Sequence, residues 1–209
     1  MKRIYLFLLC CVVMVAFVSC LGESNSKNKT PVELPPKVEP YTVENGAFDV
    51  DAVRSNININ NMHFDFPLLL SDLEKGWKYE LYDRSDYGLK EGSGYANLIY
   101  NGTEVAAVSL ENCYTGKEKE SVIYSISISS SDCDIYGIVP FNSTIADVEK
   151  LLGMPDEMQT MATPYKHTYI YGDLKGVDQN KVIRGQYLVV DFDENGVVDF
   201  LKLTYSVIS

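Results

Sequence analysis

Val122-Ile123-Tyr124-Ser125-Ile126-Ser127-Ile128-Ser129 alternates apolar residues at even positions with odd positions that are largely serine. Successive side chains of a strand point to opposite faces, so this stretch predicts one buried face and one wet face. An antiparallel sheet gives that arrangement. Ala106, Val108 and Leu110 supply a matching stripe upstream, so 104–112 and 121–129 read as the two arms of one hairpin. Leu188–Phe192 and Leu201–Tyr205 read as a last hairpin. Asp199-Phe200-Leu201 interrupts its alternation, which points to a bulge. Tyr95–Tyr100 and His167–Tyr171 are further strands.

Two helices are expected among these strands. Thr144 caps the second, with Asp147 three residues on to complete a capping box. Ile145, Val148, Leu151 and Leu152 form its apolar stripe, Gly153 closes it and Pro155 prevents its continuation. The first begins near Pro67, uses Leu69, Leu70 and Leu73, and stops at Gly76. Asp72-Leu73-Glu74-Lys75 recurs as Asp147-Val148-Glu149-Lys150, and Asn101-Gly102 recurs as Asn195-Gly196 between strand-like runs. The shared order, helix and then strands with an Asn-Gly turn, reads as a diverged internal repeat. The expected class is α+β, with two related helix-on-antiparallel-sheet modules over 51–132 and 133–209.

The chain opens with Met1-Lys2-Arg3, a nearly unbroken apolar run from Ile4 to Phe17, and then Val18-Ser19-Cys20. The run is too short to span a bilayer, which takes about twenty apolar residues. It reads as a signal peptide over 1–19, closed by a box that resembles the bacterial lipoprotein signal. Only a thiol can take a thioether-linked lipid, so Cys20 is the expected diacylglycerol attachment site and new N-terminus. Two acyl chains give durable anchoring, at about 0.8 kcal/mol per buried methylene. Residues 20–50 carry Pro31, Pro35, Pro36 and Pro40 among polar neighbours and read as a flexible linker. The expected location is therefore the extracytoplasmic side of a cell membrane or envelope.

Removal of the signal leaves 16 basic against 29 acidic side chains, a formal charge of −13. That balance repels phosphate backbones and anionic surfaces, so nucleic acid is excluded as an expected partner. A hydrophobic content of 46% with 15 tyrosines argues for a folded chain. Cys113 lies near the expected hairpin turn and Cys133 beyond its far end. At about 3.3 Å per residue they stand roughly 30 Å apart, outside disulfide reach.

Gly137-Ile138, then Asn142-Ser143-Thr144 leading through the Asp147–Gly153 helix to Met154-Pro155, form one pattern with Tyr169-Ile170-Tyr171 and the Asn195-Gly196-Val197-Val198 hairpin. This pattern is similar to the small helix-plus-sheet module of the SmpA/OmlA-like lipoproteins and of beta-lactamase-inhibitor-protein-like domains. The resemblance covers 135–209, and 57–130 more faintly. It implies helices packed on an antiparallel sheet, tandem modules, and a role in protein–protein contact or envelope assembly. It carries no functional residue over.

Catalytic and metal motifs are weak. Asp191-Phe192-Asp193-Glu194-Asn195-Gly196 begins like a calcium loop, but Lys202 stands where the closing glutamate belongs, so a hairpin turn is expected. His63 and His167 have no metal-ligand spacing to each other or to cysteine. Ser24-Asn25-Ser26-Lys27 lies in the linker without a fold around it. Neither a metal, a cofactor nor enzymatic activity is expected. The remaining lead is aromatic: Trp77, Tyr79, Tyr82 and Tyr95 in one half, Tyr169 and Tyr171 in the other, because tyrosine offers large contact area with a hydroxyl at low entropic cost. The expected function is a lipid-anchored, non-catalytic binding or assembly protein that recognises a protein partner through an aromatic sheet face. The alternatives are a solute- or carbohydrate-binding lipoprotein, and an envelope enzyme inhibitor or enzyme.

Overall fold

The structure is a computed structural model, and it describes residues 33–44, 46–162, 165–177 and 183–206. Cys20, the signal segment and the Ser24–Lys27 pattern lie outside the described residues. No helix among the described residues is long and apolar enough to cross a membrane.

The fold is dominated by antiparallel sheet. Its large sheet runs β4 (Trp77–Leu81), β5 (Gly92–Tyr100), β6 (Thr103–Cys113), β7 (Val122–Ile128), β12 (Val198–Tyr205), β11 (Ile183–Phe192), β10 (Tyr165–Val177) and β9 (Glu157–Ala162). Two four-stranded meanders thus meet where β7 pairs with β12, and the short β3 (Leu68–Leu69) pairs beside them on β7. A small sheet orders β2 (Met62–His63), β1 (Ile57–Ile59) and β8 (Cys133–Ile135), with Asn58 opposite Asp134. Helix α1 (Val50–Arg54), the short α2 (Arg84–Tyr87) and α3 (Ile145–Leu152) complete the chain.

The alternation read in 122–129 holds over 125–128 of β7, where Ile126 and Ile128 are buried in the core and Ser125 and Ser127 point the other way. A bulge at Tyr124 shifts the register upstream, so Ile123 joins the core while Val122 and Tyr124 form a separate apolar cluster with Leu34 and Leu69. Cross-strand partners share a face, so a core row follows as Ala96, Val108, Ile126, Leu203, Leu188 and Tyr171. Against this face pack α1, β1, β8 and α3, through Val53, Ile57, Ile135, Val148 and Leu152. The bulge expected at 199–201 is present. Asp191 faces Phe200 and Phe192 faces Val198, which leaves Asp199 as the extra residue.

Helix α3 follows the sequence signals. Thr144 and Asp147 form the reciprocal capping box, and Gly153 ends the helix at φ 76°. The helix expected from Pro67 to Gly76 does not form. Leu68 and Leu69 give their backbone to β7 instead, and only a 3₁₀ turn remains over Leu70–Asp72. Three consecutive leucines supply no helical stripe, and pairing with Val122 and Ile123 buries them better. The two Asn-Gly pairs also differ in place. Asn101-Gly102 turns β5 into β6, the second hairpin of its meander, whereas Asn195-Gly196 turns β11 into β12, the third hairpin of the other. The latter is closed by Asp193, whose carboxylate accepts from the Asn195 and Val197 amides at 2.9 Å each.

The segment expected as flexible linker is laid against the fold from Leu34 onward. Residues 33–44 have no regular structure but are pinned at several points. Leu34 packs on Val122 and Tyr124, Arg54 donates to the Pro36 carbonyl at 3.0 Å, and Val43 N–H donates to the Tyr136 hydroxyl at 2.7 Å. Arg54 is buried at 4% exposure, paired with Asp51 and seated 4.9 Å over the Tyr205 ring. The guanidinium thereby ties this strap to the core. Cys113 and Cys133 are both buried and neither is in a disulfide. Burial pushes the Cys133 thiol above its ordinary pKa.

Candidate functional site

The layer of α1, α3 and the small sheet covers one face of the large sheet, and the other carries polar and small residues along its centre. Register places Glu80, Asn97, Ala107, Ser127, Lys202, Val189, Ile170 and Glu157 in one cross-strand row. A second row beside it holds Tyr95, Ser109, Ser125, Thr204 and Tyr187. Neighbours in such rows stand about 4.5–5.5 Å apart at Cβ. In these two rows the middle strands β6 and β7 contribute Ala107, Ser109, Ser125 and Ser127, a floor of small side chains, with the buried Glu111 next along β6 accepting from the Ser206 hydroxyl at 2.8 Å. Larger residues rise on both flanks.

One flank is aromatic. The Tyr82 ring stacks on Tyr87 at 5.3 Å, and Tyr87 meets Tyr95 edge-on at 5.5 Å. The Tyr82 hydroxyl donates to the Asn97 side-chain carbonyl. Tyr87 is 49% exposed, so the cluster presents ring surface to solvent.

The other flank is centred on Lys202. Its side chain lies half-buried between Ser127 and Val189, and burial alone lowers its pKa from the ordinary lysine value. No ion pair to Lys202 occurs among the described residues. Below it, Ser125 and Thr204 are hydrogen-bonded at 3.0 Å, and both are buried. Burial raises the Tyr187 hydroxyl above its usual pKa, partly offset by a hydrogen bond from Thr204.

The aromatic residues expected to bind divide between the two faces. Tyr82 and Tyr95 lie together on the outer face. Trp77 and Tyr79 lie on the opposite face at the β4 edge, half-buried against the core, with Trp77 between Phe64 at 5.3 Å and Tyr100 at 5.0 Å. Tyr169 and Tyr171 are 7% and 0% exposed and belong to the core. Their hydroxyls reach the Glu149 carboxylate and the Gly153 carbonyl, each at 3.0 Å, and so lock α3 to the sheet. A place on a binding face is thereby corrected for these two, because strand tyrosines with anchored hydroxyls are good core residues. Tyr87, another tyrosine of the first-half cluster, joins them there, and Lys202, Asn97 and Ser109 complete the face without having been singled out for binding. The run Leu201-Lys202-Leu203-Thr204 carried the signal, because it sets Lys202 and Thr204 opposite two core leucines.

Elsewhere several polar groups engage one another. His63 lies 3.3 Å from Asp65, which also pairs with Lys37 at 2.8 Å, and the His167 ring contacts Thr160 at 3.1 Å. Among the described residues, no group of three or more His, Cys, Asp or Glu side chains is placed to hold a metal ion. A wide cleft of about 700 Å³ runs between residues 42–46 and α3. Part of its polar lining is tied up, with Asn58 bonded to Asp134 at 3.1 Å and Tyr136 to Val43, and Lys150 lines it as well. No protein-family model, curated protein or solved structure matches the chain.

Proposed function

We propose that this chain is a lipid-anchored, extracytoplasmic, non-catalytic binding protein, and that the outer face of its large sheet is the recognition surface. The observation that carries the reading is the small-residue floor of Ala107, Ser109, Ser125 and Ser127 between an exposed tyrosine cluster and Lys202. Tyrosines with ring surface exposed beside a polar floor suit a protein partner. The signal and Cys20 box support attachment through a diacylglycerol on Cys20. With the strap pinned from Leu34, about a dozen residues separate Cys20 from the fold, a reach of a few tens of ångströms at most.

The tandem-module reading is part of the same proposal. Each meander follows a related tetrapeptide, Asp72–Lys75 or Asp147–Lys150, and the two join through their last strands. Residues 57–61 and 133–137 also correspond, as a short strand followed by two residues with positive φ. In this reading the duplicated units build one broad sheet, and the recognition face spans the junction. This supports the likeness to tandem inhibitor-like and SmpA/OmlA-like modules, with divergence in the first helix.

The test is capture from detergent-solubilised envelope with tagged full-length protein, its Cys20→Ala variant and a Ser127→Arg variant that fills the floor. The reading expects one protein captured by the first two and lost with Ser127→Arg. Capture that survives Ser127→Arg places recognition elsewhere. The absence of any captured protein shifts the weight to the solute-binding alternative.

A further inference from the structure

Lys202 is held where the fold has no use for its charge. The chain carries 29 acidic side chains, yet no carboxylate approaches Lys202 within 4 Å among the described residues. Its direct neighbours across the sheet are Ser127 and Val189, and its diagonal neighbours include Ser125, Tyr187 and Asp191, whose carboxylate accepts from the Thr168 hydroxyl at 2.6 Å. A leucine or methionine there would cover Val189 equally well and would avoid desolvating an ammonium. Ser127 and Ser109 add hydroxyls with no protein hydrogen-bond partner among the described residues. The ammonium and these hydroxyls lie on the same small-residue floor, and the carboxylates beside it on this face, Asp191 and Glu111, already accept from the Thr168 and Ser206 hydroxyls.

Resting on the reading of this face as the recognition surface, we propose that Lys202 and the serine floor bind a single carboxylate, presented by an extended, otherwise uncharged segment of a protein partner. One cation with neutral hydroxyl donors balances a monoanion. A phosphate dianion calls for a guanidinium fork or several cations, and this floor holds neither. The net charge of the chain repels polyanions of every kind, so a lone Lys202 admits one acidic side chain rather than a charged polymer. The floor is two strands wide, β6 and β7, with the tyrosines on one side. An extended peptide fits along it, with its backbone over Ser109 and Ser127 and neighbouring side chains against Tyr95 and Tyr82.

The test uses the mature chain with Cys20→Ser, observed through the side-chain resonances of its lysines by NMR. Lys202 is assigned from the Lys202→Met variant. The probes are sodium acetate, the peptide acetyl-Ser-Glu-Ser-amide and inorganic phosphate at constant ionic strength. The proposal expects a saturable shift at Lys202 with acetate and peptide, with the peptide at least tenfold tighter. Lys202→Arg retains peptide binding, and Ser127→Ala weakens it severalfold. A Lys202 response that only drifts linearly, as is expected of the exposed Lys78, overturns the proposal, and so does saturation by phosphate but not by carboxylate. Partner capture separates this inference from the reading beneath it. A partner held by the wild type and equally by Lys202→Met overturns the carboxylate contact and leaves the face intact.

Discussion

Gly46 and Gly153 meet backbone to backbone: a Cβ on Gly153 would stand 2.4 Å from the Gly46 carbonyl oxygen. A Cβ on Gly46 would in turn stand 2.8 Å from the Lys150 carbonyl oxygen. The strap before α1 is thus seated on the C-terminal end of α3, where the Gly153 carbonyl also receives the Tyr171 hydroxyl. Gly153 additionally holds φ 76° with ψ −164°, a region reserved for glycine.

Gly153→Ala must therefore separate the strap from α3 as well as strain the helix end. The expected loss is about 2–3 kcal/mol in denaturant unfolding, the sum of strain and a displaced contact. Gly137→Ala provides the comparison. It shares a positive φ of 76° but has open space around its missing Cβ, so it should lose less.

Thr144→Ala removes the hydroxyl half of the α3 capping box and should lower stability by about 1 kcal/mol. The same box makes the fold acid-sensitive. The hydroxyl and amide of Thr144 hold the Asp147 carboxyl below its ordinary pKa, and the Ala52 amide does the same for Asp49 at the start of α1. Carboxyls depressed in the folded state stabilise it fully above their unfolded value of 3.8, and the effect fades as the pH falls through the folded values. Thermal melts should show a decline below about pH 4 that is shallower in the Asp147→Asn variant.

Lys202→Met should raise the melting temperature at neutral pH, because methionine keeps the stem and removes a desolvated charge. The linkage has a definite sign. The folded lysine releases its proton below the unfolded value of 10.5, so wild-type stability climbs as the pH rises through the folded pKa toward 10.5. The variant should lack that climb. A lower melting temperature for Lys202→Met would show that the ammonium serves the fold, against the functional account of its presence.

The fold was legible wherever a local rule and a tertiary demand agreed. The serine alternation of β7, the caps of α3 and the interrupted strand at Asp199 each carried their own signal. Leu68–Leu70 misled because an apolar run is compatible with strand or helix, and only β7, more than fifty residues away, decides the matter. The site was half legible. Aromatic composition pointed to Tyr82 and Tyr95 but equally to Tyr169 and Tyr171, which lie on the other side of the pleat. Facing depends on strand parity and register, and β10 was only partly delimited in the sequence. Lys202 was visible as a lysine between leucines. That it has no ion-pair partner among the described residues emerged only once β12 was seated between β7 and β11.

The most direct measurement is site-specific photo-crosslinking in intact cells, with p-benzoylphenylalanine in place of Tyr95 on the outer face and, in a second strain, in place of Ala146 on the exposed side of α3. The account predicts one discrete protein adduct from position 95, absent from position 146 and lost when Ser127→Arg is added. An adduct from position 146 alone, or one from position 95 that persists with Ser127→Arg, contradicts the assignment of the outer sheet face as the recognition surface.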